Sequence, residues 1–222
     1  MTSISIPRHR QHGHVFGARG DTGRVKLNYE RFAHLVPHAG LKDSIIESFN
    51  TTQLAKKVII WSERSKHFYV FNNVTDLEKF IAVEPDQHYY EVVFGWKKQR
   101  PKFDIDSGDE KTFAAFIEAL QTVIGPSGKY IVTDSSSETK FSRHVIVDKY
   151  VANVEAAKKL MEKVVALVGD ENIDTSVYKS IQYFRLLGSS KLGKKTKRII
   201  YPRPVSAIIN PLSKTLIGYY PI

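Results

Sequence analysis

Apolar residues recur along this chain with two alternating periods, and the switches between them lay out the elements. Val58-Ile59-Ile60-Trp61 and Phe68-Tyr69-Val70-Phe71 are short β-rich runs separated by the polar Ser62 to His67, the pattern of a hairpin. Tyr89 to Phe94 reads as another strand, Phe103-Asp104-Ile105-Asp106 as a strand ending on two acids, and Lys129 to Thr133 and His144 to Val147 as two more. Between them the period becomes helical. Asp109 to Ile124 puts Phe113, Phe116, Ile117, Leu120, Val123 and Ile124 on one stripe, and Gly125-Pro126-Ser127-Gly128 stops it. Asn153 to Val168 does the same with Val154, Ala157, Leu160, Met161, Val164, Val165 and Val168, residues that belong in a core.

The flanks are less regular. Tyr29 to Val36 and Leu41 to Lys57 carry mixed helical spacing and are expected as helices, with Asn50-Thr51-Thr52 marking a turn or a fresh cap. Thr75 with Glu78 fits a capping box opening a short helix. Tyr178 to Leu187 is expected to be extended, and a lysine-rich stretch from Lys191 to Arg198 leads to Ile199-Ile200-Tyr201. Residues 1–30 mix Gly, His and Arg without periodicity and read as an irregular basic arm, in which Arg8, Arg10, Arg19 and Arg24 either touch phosphate or stay solvated. Residues 31–222 are expected as one compact domain. Strands interrupted by single helices imply an α+β architecture of two lobes meeting around the acidic strand.

Composition narrows the classes. A chain of 222 residues with 42% hydrophobic positions has ample material for a core, which excludes disorder as the default. No run approaches the roughly 20 apolar residues of a membrane-spanning helix, and Met1 to Arg10 lacks a secretory signal, so no membrane partner and an intracellular location are expected. With no cysteine, a thiolate zinc site is impossible, and any metal must be held by carboxylates or imidazoles. The formal charge of +10 favours polyanionic partners, although it also serves solubility.

Three blocks carry chemistry. Asp104 and Asp106, two apart on a strand, leave the same face and can share a pair of divalent ions, as phosphoryl transfer requires. Such pairs also occur on solvated strand ends and in metal-dependent sugar-nucleotide transferases. In Lys140-Phe141-Ser142-Arg143-His144, Ser142 and His144 share a strand face, where a hydroxyl, an imidazole and the Lys140 charge suit phosphate. The plainer reading is a strand start and a hydrogen-bonded structural histidine. The third block runs from Asp174-Thr175-Ser176-Val177-Tyr178 through Phe184-Arg185-Leu186 to Ser189-Ser190-Lys191. Arg185 between apolar neighbours needs a fixed anion, either a ligand phosphate or Asp174 itself. Lys194, Lys195, Lys197 and Arg198 form either a solvated loop or a track for a nucleic-acid backbone. The same two readings apply to Trp96, Lys97, Lys98, Arg100 and Lys102.

In this order the three blocks resemble the motifs of the archaeo-eukaryotic primase superfamily, in its PrimPol and large-DNA-virus branch. The resemblance covers about Tyr89 to Arg198, and the N-terminal third only by position. It implies an N-terminal αβ module packed on a module related to the RNA-recognition fold, with the active site in the cleft between them. It further implies Mg²⁺ or Mn²⁺ on Asp104, Asp106 and Asp174, and the triphosphate of a dNTP or NTP on Lys140, Ser142, His144, Arg185 and Lys191. The implied reaction is nucleotidyl transfer on a single-stranded DNA template, making or extending a primer at sites of DNA replication. For a viral protein that site would be host cytoplasm or nucleus.

The departures concern accessory modules. The chain has neither cysteine ligands for a zinc module nor a complete Gly-x-x-x-x-Gly-Lys-Ser/Thr loop, since the run from Gly188 to Gly193-Lys194 has the spacing but is followed by Lys195, so a replicative helicase would be a partner in the same or a separate polypeptide. Two other readings compete: a nucleic-acid-binding module or helicase accessory with little activity, and a two-metal nuclease. The nuclease reading gives the Ser-x-His and Ser-Ser-Lys blocks no role.

Overall fold

The computed structural model describes residues 11–12, 29–33, 45, 49–84, 86–169, 171–201 and 211–219. Ten strands form two antiparallel sheets among them. The first sheet contains β1 (Gln11–His12), β2 (Glu30–Ala33), β3 (Val58–Ser62), β4 (His67–Phe71), β5 (Tyr89–Phe94) and β9 (Ile181–Arg185), in the order β1-β2-β4-β3-β5-β9. The second contains β6 (Lys102–Ile105), β7 (Tyr130–Asp134), β8 (Arg143–Val147) and β10 (Ile199–Tyr201), in the order β10-β7-β8-β6. Helices described from end to end are α1 (Thr51–Lys56), α2 (Val74–Val83), α3 (Glu110–Ile124), α4 (Val154–Val168) and α5 (Pro211–Thr215). The chain is thus mixed α+β.

The amphipathic stripes decide the layering of the second sheet. Phe113, Phe116, Ala119 and Leu120 of α3 and Met161 and Val164 of α4 pack on Phe103, Ile105, Val132, Val145 and Val147, so both helices cover one face. Alternation along the strands then turns Lys102, Asp104, Thr133, His144 and Ile146 to the other face. That face meets the first sheet, through Ile146 packed with Val93, Phe184 and Ile217. The first sheet carries α2 and α5 beside this seam, over Val58, Ile60 and Phe71, while Phe49 and Leu54 cover its opposite face over Ile59 and Val70. Connectivity braids the lobes. The chain leaves the second sheet after α4, returns to the first as β9, and then supplies β10 to the second.

Several expectations change. Tyr29 to Val36 is not helical where it is described: Glu30–Ala33 is a strand paired with β4, because the exposed edge of that hairpin offers a ladder that local spacing does not reveal. In the Leu41 to Lys57 segment Ile45 is helical, and α1 starts at Thr51 on Asn50, whose side chain and Gln53 form the capping box. Thr75 is not a cap. Asn73, in an extended conformation, accepts from the Asp76 N–H at 2.9 Å and starts α2 two residues earlier. The arm assigned to residues 1–30 lies outside the described residues except at Gln11, His12, Tyr29 and Glu30. The second sheet has the β-α-β-β-α-β succession of a split βαβ unit, with β8 between β6 and β7. Its last strand, β10, lies beside β7, whereas an RNA-recognition-type sheet places the last strand beside the first.

Candidate active site

The site is built on the row Asp104, His144 and Thr133, which are cross-strand neighbours on β6, β8 and β7. Asp104 lies mostly below the surface, and its Oδ1 finds no hydrogen-bond partner among the described residues. Burial, then the Asp106 charge, push its carboxyl up to about 6, against the pull of Arg198. Asp106 differs. Its oxygens accept from Ser142 Oγ at 2.9 Å and from Lys140 Nζ at 2.9 Å. Burial raises its pKa, but those two donors outweigh it and hold the group below the ordinary carboxylate range. The two acids of one motif therefore have opposite electrostatic characters.

His144 is buried between the sheets, its ring 4.0 Å from that of Phe184, centroid to centroid. Burial, followed by the charges of Arg198, Arg185, Lys102 and Lys191, drives its pKa well below the ordinary range. The imidazole is therefore neutral at pH 7. Its Nε2 lies 3.4 Å from Asp104 Oδ1 without making an ion pair, and its Nδ1 has no partner among the described residues.

The third block arrives through the backbone. The Asp174 N–H donates to the Asp104 carbonyl at 2.8 Å, and Ile173 bridges to Ile105, so the third acid is pinned beside the acidic strand. Its side chain is exposed and caps a 3₁₀ turn (Thr175–Val177) by accepting from the Ser176 N–H. Arg185, at the end of β9, makes no ion pair with Asp174 among the described residues; its guanidinium donates to Ser135 Oγ at 3.2 Å, and its Nε is buried and unpartnered. Beyond it, the segment Gly188 to Arg198 closes on itself: Gly188 N–H donates to the Arg198 carbonyl and Arg198 N–H to that of Ser189. Ser189 and Ser190 are buried at the base of this loop, while Lys191, Lys194, Lys195 and Lys197 are exposed.

Several basic residues are not where a track requires them. Arg198 is 1% exposed, and its guanidinium donates to Ser142 Oγ and to the carbonyls of Thr133 and Ser142. Burial, then Arg185, lower its pKa to about 9, so it remains charged beside Asp104 and Asp106. It is a site residue that the sequence disguised as the end of a lysine run. Lys97 donates to the Lys57 carbonyl at 2.8 Å, and Arg100 donates to the carbonyls of Ser213, Lys214 and Leu216 and pairs with Asp148. Lys102 is fully buried against Gln182. For these three neither the solvated nor the template-contacting reading fits, because their charges are spent inside the protein. Lys98 and Trp96 are exposed. Thr133, Ser135 and Phe184 also belong to the site; no short-range spacing marks the first two.

As a holder of divalent ions the site is half assembled. Its hard oxygen donors suit Mg²⁺ or Mn²⁺, and the unpartnered Asp104 Oδ1 is an atom that a cation would satisfy. Among the described residues, however, no three carboxylate or imidazole side chains gather at metal-binding distance. Asp106 is committed to Lys140 and Ser142, and Asp174 to its own turn.

No protein-family model matches the chain. Among curated proteins it is similar to three from African swine fever virus, each named "Putative helicase/primase complex protein". It is 27% identical over 186 residues to that of isolate Pig/Kenya/KEN-50/1950, 26% over 196 residues to that of strain Badajoz 1971 Vero-adapted, and 28% over 190 residues to that of isolate Tick/Malawi/Lil 20-1/1983. Each match covers 68% of this chain but only 17–19% of the relative, so the chain spans less than a fifth of the length of these proteins. The chain is thus a distant relative of viral proteins named for a helicase/primase complex. Among the described residues no helix is long and apolar enough to cross a membrane.

Proposed function

We propose that this chain is the catalytic core of a primase-polymerase that carries out template-directed nucleotidyl transfer on single-stranded DNA. The supporting observation is the meeting, around the half-free carboxylate of Asp104, of three blocks far apart in sequence: the β6 acids, Lys140 to His144, and Arg185 to Arg198. The names of the distant relatives favour the same reading.

In this reaction a 3′-hydroxyl, of a primer end or of a first nucleotide, attacks the α-phosphate of the incoming nucleotide in line. A new P–O bond forms as the bond to pyrophosphate breaks. Two divalent ions, held by Asp104 and Asp106 with Asp174 alongside, would activate the hydroxyl and neutralise charge on the leaving group. Arg185 and Lys191 offer fixed positive charge to the triphosphate. Lys140 and Ser142, which donate to Asp106, would offer their ammonium and hydroxyl to phosphate oxygens where a cation takes that carboxylate. His144, being neutral, contributes a hydrogen bond rather than a charge. Phe184 and the seam behind it hold that ring in place and keep water from it. Such a site works mainly by positioning and charge neutralisation. By extension from the relatives, its partner is a replicative helicase, in the same polypeptide or a separate one.

Equilibrium nucleotide binding tests the reading. The protein should bind a dNTP or NTP only in the presence of Mg²⁺ or Mn²⁺, and the folded His144→Gln and Asp104→Ala variants should lose roughly tenfold or more of that affinity. Metal-independent binding, or none, would contradict it; degradation of labelled DNA without nucleotide binding would favour the nuclease.

A further inference from the structure

On the face of the first sheet opposite the seam, one end of the β3-β5-β9 ladder carries a cluster of aromatic rings that no helix among the described residues covers fully. Tyr90 faces Trp61 across one ladder and Arg185 across the other. Trp61 lies 5.7 Å from Tyr90 and 5.6 Å from Tyr183, centroid to centroid, and Tyr183 is 44% exposed. The exposed Lys66 places its ammonium 5.0 Å from the Trp61 ring centre. Further along this face Phe94 and Val92 pack inward with Phe49 and Leu54. The local acid, Glu63, is engaged by Tyr90 Oη and the Leu192 N–H. Arg185, one step along β9, reaches Ser135 at the edge of the acidic site.

From this placement we propose that Trp61, Tyr90 and Tyr183 form a stacking platform for the bases of a single nucleic-acid strand, with Lys66 meeting its phosphates and the Arg185 end of β9 leading it toward the acidic site. The proposal rests on the primase-polymerase reading only for the direction of the strand, not for the binding itself. Aromatic faces interleaved with cations suit this ligand. Every base offers a π-face, and the backbone supplies charge for Lys66, on a chain whose net charge is +10. An apolar protein partner would leave the cations unused.

Tryptophan fluorescence reads the platform directly. The chain has two tryptophans, so Trp96→Phe leaves Trp61 as the sole reporter. In metal-free buffer, oligo(dT) should quench that emission, whereas an abasic oligomer of the same length and charge should bind weakly and leave it unchanged. Tyr183→Ala, at an exposed ring, should weaken oligo(dT) binding roughly five- to a hundredfold, the effect of losing one base stack. Trp61→Phe in the otherwise wild-type protein, followed by fluorescence anisotropy of labelled oligo(dT), should weaken it less. Equal binding of the abasic oligomer, or unchanged affinity in folded Tyr183→Ala, would overturn the platform. Because neither nucleotide nor metal is present, a negative result here leaves the nucleotidyl-transfer reading standing, and inactivity of the enzyme leaves the platform standing.

Discussion

Asp104 and Asp106 stand two residues apart yet differ in every physical respect. Asp106 is stabilised as an anion by Lys140 and Ser142, whereas Asp104 is charged against its environment, its carboxyl raised to about 6. The sign of the stability effect follows. Between the unfolded pKa near 3.8 and the folded value near 6, the native state binds more protons than the unfolded one, so stability falls as pH rises through that window. Above it the full cost remains. Asp104→Asn, which removes the charge and keeps the shape, should therefore raise stability by on the order of 1–3 kcal/mol at pH 7.5 and by much less at pH 4. Thermal unfolding in the presence of a chelator, at both pH values, measures this; a gain that is equal at both would show that the carboxylate is not strained. The same residue scale shows what was legible in the sequence. The acids and the Ser-x-His pair could be singled out because strand alternation fixes which side chains share a face two residues apart, and Arg185 because a charge between apolar neighbours needs an anion. Arg198, Lys97, Arg100 and Lys102 look like surface charges from their neighbours alone. Their acceptors, such as the Ser142 hydroxyl and the carbonyls after Leu212, lie about 40 to 115 positions away in the chain, and no local pattern encodes such a partner.

Among the elements, α3 and α4 were readable almost to the residue, since an amphipathic stripe, an acidic or amide cap and a terminal glycine all agree. Asn153, in extended backbone, accepts from the Ala156 N–H at 3.0 Å; Asn153→Ala should cost about 1 kcal/mol, read as a shift of the urea midpoint at constant slope. Strand β2 was not readable: Glu-Arg-Phe-Ala lacks the β-branched signature, and the strand exists because β4 needs a partner on its free side. Strand β9 matters most to the site, for it carries Gln182 and Phe184 into the seam and Arg185 around its edge. Phe184→Ala should destabilise the fold by about 3–5 kcal/mol and release His144 from its stack, so that the imidazole pKa, followed by NMR, moves up toward its ordinary range. An unchanged imidazole titration would show that Phe184 packing does not hold the ring in its buried setting.

For the molecule as a whole, the two sheets share one chain that crosses between them, and this braiding gathers residues from about 100 to 200 around Asp104. The net charge of +10 includes cations buried inside the protein, such as Lys97, Arg100, Lys102 and Arg198, whereas the exposed Lys194, Lys195 and Lys197 stand on the loop that closes over Ser189. If these lysines meet the strand backbone, replacing all three by alanine should flatten the slope of log affinity against log salt by roughly 0.7 for each phosphate no longer neutralised, without altering preference between template sequences. Catalysis at the acidic site is addressed most directly by one assay, in which the protein is incubated with unprimed and primed single-stranded templates, labelled nucleotides and Mg²⁺ or Mn²⁺, beside an Asp104→Ala/Asp106→Ala control. Labelled products are expected on at least the primed template, with short products on the unprimed one if initiation is self-contained, and none with the control. Silence on both templates while single-stranded DNA binding persists, or activity undiminished in the control, would contradict a polymerase role for this site.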